Sequence, residues 1–478
     1  MNKNVKAELN ENTASYKAIV YWICAIAALG GLLFGLDQGF IANALPTLDQ
    51  VYRFNLTQGE AYSAVLAWGG IVGALFSGPF ARFLGRKGSL VFAGFLFSSM
   101  SLISALLPPV EILYICRFFL GFAVGVASFI VPLYLSETAP AKIRGAMGSL
   151  FQLMITIGIF LVSVANVFLV KIIADHTVRL PFMFLFIALF ALIMFIGAFA
   201  LPESPRWLML RGKKDKAKNV LKKIFKSQEK IDFELKEIQE TLNKTSSVFG
   251  AVLKGSFIKI LIVGILMMMF QSLSGIAMII YYAPIIFGYA GLKGIFAMMI
   301  VPTVNMLFTF PAIWLVEKWG RKKLLYIGSI IMFINLIAAG LVFLSIGHIT
   351  DPSQIGSVPK IILLISIIFY IFGFAFSWGP VAWLVCSEIF PLEGREVGLT
   401  ITVMLNWTFS GVVMAYSLTC MKLYGDASVF FIFAGFCILA FIFLLFWVPE
   451  TKGITLEKIE MNLNNGKKLK HLGDIERN

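Results

Sequence analysis

Charged side chains are scarce inside the long apolar runs of this sequence, and two of them could do chemistry together. Asp37 is read as the only carboxylate within such a run away from its basic-flanked end, and Arg117 as the only base within one. Either charge alone in an apolar bundle costs several kcal/mol, on the order of a buried ion's desolvation, unless it is paired, so the two are expected to face one another. A carboxylate beside a guanidinium can take up a proton and release its partner, which is the chemistry of coupling. The same pair could also be a permanent salt bridge that only locks packing. The histidines His176, His348 and His471 fall outside the runs, which sets aside a histidine relay. No nucleophile with its base, metal-ligand spacing or phosphate-binding loop is evident, so an enzyme is not expected. The five cysteines (Cys24, Cys116, Cys386, Cys420 and Cys437) lie in apolar segments and read as packing residues.

The elements that must position this pair are membrane spans. Of 478 residues 59% are hydrophobic and only 14% charged, and the apolar residues come in blocks with the charges between them. The blocks predict about twelve spans, near residues 18–43, 60–81, 88–107, 111–134, 146–170, 180–202, 257–288, 293–316, 324–347, 359–387, 396–421 and 427–449. The net charge of +14 could suggest nucleic acid, but its placement argues otherwise. With the N-terminus in the cytoplasm, 33 Lys and Arg fall on the cytoplasmic side, 6 on the outer side (Arg53, Lys171, Arg179, Lys293, Lys360 and Lys422) and 1 within a span. That asymmetry predicts cytoplasmic termini and a basic face toward anionic inner-leaflet lipid, with no nucleic-acid partner. No removable signal peptide is read before the first span. Asp37 then lies roughly 30 Å of helix from cytoplasmic Lys17 and Arg117 roughly 9 Å from the outer end of the fourth span, both in the outer half of the membrane.

A polar stretch from Arg206 to Gly255, with 13 Lys or Arg against 6 Asp or Glu, separates six spans from six. Within it Ile231, Leu235, Ile238 and Leu242 recur at helical spacing, which predicts an amphipathic helix. The halves repeat in parallel. Gly85-Arg86-Lys87 answers Gly320-Arg321-Lys322, Ser136-Glu137 with Arg144 answers Ser387-Glu388 with Arg395, and Pro202-Glu203-Ser204 answers Pro449-Glu450-Thr451. A duplicated six-span unit implies an all-α membrane protein of the major facilitator architecture, two pseudo-symmetric six-helix bundles with the substrate between them near the bilayer midplane. The expected organisation is a cytoplasmic segment 1–17, a first bundle 18–205, a helical linker 206–256, a second bundle 257–450 and a cytoplasmic tail 451–478.

Several stretches carry a more specific likeness. Pro202-Glu203-Ser204-Pro205-Arg206-Trp207-Leu208 resembles the PESPRWL signature of sugar porters, and Val448-Pro449-Glu450-Thr451-Lys452-Gly453 resembles their PETKG ending. Gln271 to Pro284 is similar to the family's seventh-span QQLSGIN and YYAP stretch, and Trp378-Gly379-Pro380 through Trp383 to its tenth-span motif. The resemblance runs through nearly the whole chain and implies proton-coupled symport of a monosaccharide or cyclic polyol, such as a hexose, pentose or inositol, in the plasma membrane of a bacterium. The alternative is a facilitative uniporter or a carrier of another small organic solute. A nutrient sensor is disfavoured by the short tail after Gly453. The resemblance implies no cofactor beyond protons and a functional monomer.

Residue by residue, the likeness places Asp37 in the motif Phe34-Gly35-Leu36-Asp37 of the proton-coupled members, where facilitative animal carriers have Asn. Gln152, Gln271, Asn305 and Asn406 match binding amides, which donate and accept hydrogen bonds without net charge, while Trp383 and Trp407 match aromatics that pack on a sugar ring. Amides in spans also serve to join helices. Ser272 and Ala277 stand where the family has two further amides, a departure that implies relaxed or redirected specificity. Tyr281 and Tyr282 match an outer-gate pair. Arg86, Glu137, Arg144, Glu317, Arg321, Glu388 and Arg395 match an interbundle salt-bridge network, or are ordinary topogenic charge. Arg82 stands where many major facilitators have Asp. Gly30, Gly31, Gly35, Gly121, Gly125, Gly275 and Gly379, with Pro284 and Pro380, allow close helix contact or local unwinding.

Overall fold

The computed structural model describes residues 16–140, 143–244, 255–289, 291–292, 294–346, 355–391, 394–452, 461–462 and 466–472. Most of the segment 1–17, residues 245–254 of the linker and most of the tail 451–478 lie outside the described residues. Twelve helices are long and apolar enough to cross a membrane: Ile19–Tyr52, Leu56–Phe83, Gly85–Ala105, Val110–Thr138, Leu150–Ile172, His176–Ala200, Phe257–Gly288, Ile295–Val316, Arg321–Ile346, Ser357–Ile389, Arg395–Tyr424 and Ser428–Phe446. In hydrocarbon every backbone N–H and C=O must be satisfied within the segment, which is why apolar runs of this length become helices.

The first six spans and the last six pack in the same pattern. The first span lies on the fifth, the second on the fourth and the third on the sixth; likewise the seventh lies on the eleventh, the eighth on the tenth and the ninth on the twelfth. The bundles meet where the second span packs on the eleventh and the fifth on the eighth. Close approach within the first bundle depends on absent side chains. A Cβ added at Gly35 would lie 1.9 Å from the Ile155 carbonyl oxygen, and one at Gly121 2.0 Å from that of Leu66.

Three departures from the expected spans bear on the site. The first span continues through Pro46 to Tyr52, because Leu45, Thr47 and Leu48 are buried and packing outweighs the backbone bond that proline removes. The second span starts at Leu56, where Asn55 and Gln58 form a reciprocal capping box. The seventh and tenth spans are each broken by one wide turn, at Ser272–Ile276 and Phe374–Trp378. In the first of these Gly275 has φ 93°, a left-handed conformation that a side chain would strain.

The linker forms helices Pro205–Leu210, Lys214–Ile224 and Gln228–Lys244. Ile231 and Leu235 are buried and Ile238 half-buried, as their spacing predicts, while the Leu242 side chain lies outside the described residues. The linker holds the chain before the first span through Lys17, whose backbone N–H donates to Ile224 O at 2.8 Å and whose ammonium donates to Lys222 O at 2.8 Å.

Candidate functional site

The first and fourth spans bring Asp37 and Arg117 together, with Arg117 Nη1 donating to Asp37 Oδ1 at 2.5 Å and both residues 0% exposed. The Arg117 guanidinium also lies over the ring of Tyr62 from the second span, 5.4 Å from its centroid. The pairing leaves valences over. Asp37 Oδ2, Arg117 Nε and Nη2, and the Tyr62 hydroxyl are all buried without a hydrogen-bond partner.

The wide turn in the seventh span aims Gln271 and Ser272 at the eleventh. Asn406 Nδ2 donates to Gln271 Oε1 at 2.6 Å and to Ser272 Oγ at 3.0 Å, while Gln271 Nε2 donates to Trp378 O at 3.1 Å, at the break in the tenth span. Ser272 Oγ in turn donates to Asn406 O at 3.1 Å and receives Ser410 Oγ at 3.0 Å. Gln271, Ser272 and Asn406 therefore form one polar cluster, in which the serine is hydrogen-bonded to the eleventh span. The next residue on that span, Trp407, stands between the bundles. Its ring lies 5.1 Å from Phe34 of the first span, and a Cβ at Gly70 of the second would come within 2.7 Å of its indole. Trp407 Nε1 is buried and without a partner. Asn305 is buried on the eighth span, and Gln152 and Trp383 are half-buried on the fifth and tenth; none of these three side chains hydrogen-bonds to the Gln271 cluster.

The candidate gate residues Tyr281 and Tyr282 are buried, and the Tyr282 hydroxyl donates to Met414 O of the eleventh span at 2.6 Å. They lie in the half of the seventh span that packs against the first.

At the end carrying the basic loops, the repeated motifs fold into one constellation per bundle. Arg86 pairs with Glu137 at 2.7 Å, Ser204 Oγ donates to Glu137 at 2.5 Å, and Glu203 accepts the Arg86 and Lys87 backbone N–H groups at 2.9 and 3.2 Å. In the second bundle Arg321 pairs with Glu388 at 2.8 Å, Thr451 Oγ1 donates to Glu388 at 2.5 Å, and Glu450 accepts from Arg321 and Lys322 at 3.0 Å each. Glu203 is buried enough that desolvation raises its carboxyl above the ordinary range against the pull of those N–H groups. These contacts tie together the end of each bundle, while the expected interbundle network also involves side chains outside the described residues. Both arginine pairs lie within a bundle, because each arginine and its carboxylate come from spans of the same repeat. Among the described residues, Arg86 also pairs across the bundles with Glu396, at 3.8 Å. The Arg144 and Glu317 side chains lie outside the described residues, and Arg395 opens the eleventh span.

Residues 23–463 match the family described as sugar (and other) transporter. The chain belongs to that family. This sugar transporter family member is 39% identical to the galactose-proton symporter of Escherichia coli strain K12 over 464 residues, 96% of this chain and 97% of the relative. It is 36% identical to the arabinose-proton symporter of the same strain over 460 residues, 95% of each chain. Among solved structures, the proton:xylose symporter XylE bound to 6-bromo-6-deoxy-D-glucose superposes with a TM-score of 0.79 at 30% identity, covering 93% of this chain and 99% of that one. The all-helical, multi-pass architecture is thus that of a major facilitator transporter, and its relatives are transporters rather than enzymes.

Two charged residues of the transporter lie deeper than their sequence context implied. Arg179, expected in an outer loop, is inside the sixth-span helix and buried against Thr47 and His176. Glu60, expected at the boundary of the second span, lies inside its helix and is 1% exposed, so Asp37 is not the only deeply buried carboxylate. The signal for Glu60 was the capping pattern Asn55 to Gln58, which starts the helix four residues earlier than hydropathy does.

Proposed function

We propose that this chain carries a monosaccharide or cyclic polyol together with protons by alternating access, as a monomer in the plasma membrane with its basic loops and both termini in the cytoplasm. The observation that carries the reading is the Asp37–Arg117 pair, fully buried and with unused hydrogen-bond valences on both members. Arginine keeps its proton, so the carboxylate is the member whose charge can change. The relatives' names, galactose-proton and arabinose-proton symporter, support sugars and protons as the cargo. The basic loops favour the cytoplasmic orientation by their charge. The cluster of Gln271, Ser272 and Asn406 beside Trp407 is suited to a hydroxyl-bearing ring, with polar groups for its edge and an indole for its apolar face.

The test is uptake of labelled hexoses, pentoses and inositol into proteoliposomes, with and without an imposed proton gradient, for the wild type and Asp37→Asn. The wild type is expected to concentrate at least one of these substrates only when the gradient is present. Asp37→Asn, fixed in a neutral form, is expected to lose that concentration while still exchanging substrate across the membrane. Concentration by Asp37→Asn driven by the proton gradient alone would remove Asp37 from the coupling step, and equilibration without concentration by the wild type would make the protein a uniporter.

A further inference from the structure

At the end opposite the basic loops, the two bundles are joined by a contact that neither the proton pair nor the candidate sugar pocket uses. Glu60 of the second span accepts the Thr419 backbone N–H of the eleventh span at 2.9 Å on one carboxylate oxygen, and the Thr419 hydroxyl on the other. We propose that Glu60 is the latch of this end, a positioning residue of the transport cycle that holds the bundles closed through Thr419 and releases it when they rock apart.

Three observations build the case. An ionised carboxylate only accepts hydrogen bonds, and this one, 1% exposed, finds both of its donors on the partner bundle. Among the described residues no lysine or arginine pairs with it. Its burial is therefore compensated by the other bundle alone. Any opening must replace Thr419 with water, because a desolvated carboxylate left between the two would be far costlier than either end point. That makes the contact two-state, shut and bonded or open and hydrated, as a gate requires.

The surrounding seam fits that role. The second and eleventh spans meet in antiparallel register, with Glu60 at Thr419, Ala67 against Gly411 and Gly70 against Trp407. Thr419, the latch's partner, and the indole of the candidate pocket thus ride on one helix. Tyr282 is tied to the same helix through Met414, five residues before Thr419, so the gate tyrosine is coupled to the element that Glu60 holds. The crossing contact of Arg86 at the basic end differs in kind, since it reaches a Glu396 side chain that is 64% exposed.

The experiment measures opening directly, without sugar or a proton gradient, so its failure and that of the coupling mechanism at Asp37 are distinguishable. Ser63, three residues from Glu60 and fully buried, is replaced by cysteine in a background lacking the five native cysteines, and maleimide labelling of the purified full chain is timed. Glu60→Gln is expected to label about tenfold faster, the loss of a charge-assisted pair of bonds. Thr419→Val, which removes the hydroxyl donor and keeps the N–H, is expected to accelerate labelling several-fold, and Thr419→Ser to restore the original rate. Unchanged labelling in both Glu60→Gln and Thr419→Val, or Thr419→Ser labelling as fast as Thr419→Val, would overturn the latch. Should Glu60→Gln fail to fold, the comparison of Val with Ser at position 419 decides alone.

Discussion

Trp407 presents a donor that the protein itself does not use, and that separates its role in folding from its role in binding. The indole is held by Phe34 and by the bare backbone at Gly70, whereas its Nε1 is buried and unpaired. Trp407→Phe keeps a ring between the bundles and removes only that donor. Sugar affinity is expected to fall about three- to tenfold, the worth of one hydrogen bond to a neutral hydroxyl, with the unfolding temperature in detergent nearly unchanged. Calorimetric titration beside a melting curve checks both halves, and equal affinity for the two proteins would mean that no ligand hydroxyl meets Nε1. At this scale the sequence was informative wherever rarity speaks. Asp37 and Arg117 stood out because charges in apolar runs are costly. Ser272 was read only by what it lacked, since a residue type does not reveal that its hydroxyl bridges Asn406 and Ser410.

Helix existence was legible from hydropathy, but helix ends and breaks were not. The twelve apolar blocks correspond to twelve spans among the described residues, yet hydropathy stops the first near residue 43 and starts the second near Glu60, where tertiary packing and a capping box decide otherwise. The wide turn at Ser272–Ile276 shows the same limit: a glycine in a span reads equally as close contact or as unwinding. Gly275 does both. Its φ of 93° is left-handed, and an added Cβ would lie 2.4 Å from the ring of Phe433 in the twelfth span. Gly275→Ala is therefore expected to cost roughly 2–4 kcal/mol, backbone strain and overpacking together, and to lower the unfolding temperature in detergent. Gly379, whose Cβ would meet Phe374 tightly but without overlap at 3.2–3.5 Å and with no left-handed φ, is the control, and Gly379→Ala is expected to cost less than half as much. Equal losses in the two variants would show that the break in the seventh span does not depend on the left-handed residue.

Over the whole molecule, the duplication seen in three pairs of loops becomes a constellation repeated in each bundle, and this changes what its charges can do. Arg86–Glu137 with Ser204, and Arg321–Glu388 with Thr451, each stay within one six-helix unit. Groups that move as one body do not change their mutual contacts when the bodies rock, so a bias between states has to come from contacts across the bundles, such as Arg86 with Glu396. The pairs within a bundle hold its end together instead. Loop spacing could match these residues between the halves, but not say which carboxylate meets which arginine. Glu137→Gln leaves the buried Arg86 guanidinium with only the longer contact to exposed Glu396, at a cost of about 3 kcal/mol. Its thermal unfolding in detergent is expected to shift down sharply. Glu396→Ala removes a crossing contact of 3.8 Å on an exposed side chain, which is worth below about 1 kcal/mol and so shifts any ratio of conformations by less than about fivefold. Paired-label distances across the bundles, measured by pulsed electron spin resonance, should therefore be nearly unmoved in Glu396→Ala. A large redistribution of those distances, together with an unshifted melting curve for Glu137→Gln, would return the network to the interface between the bundles.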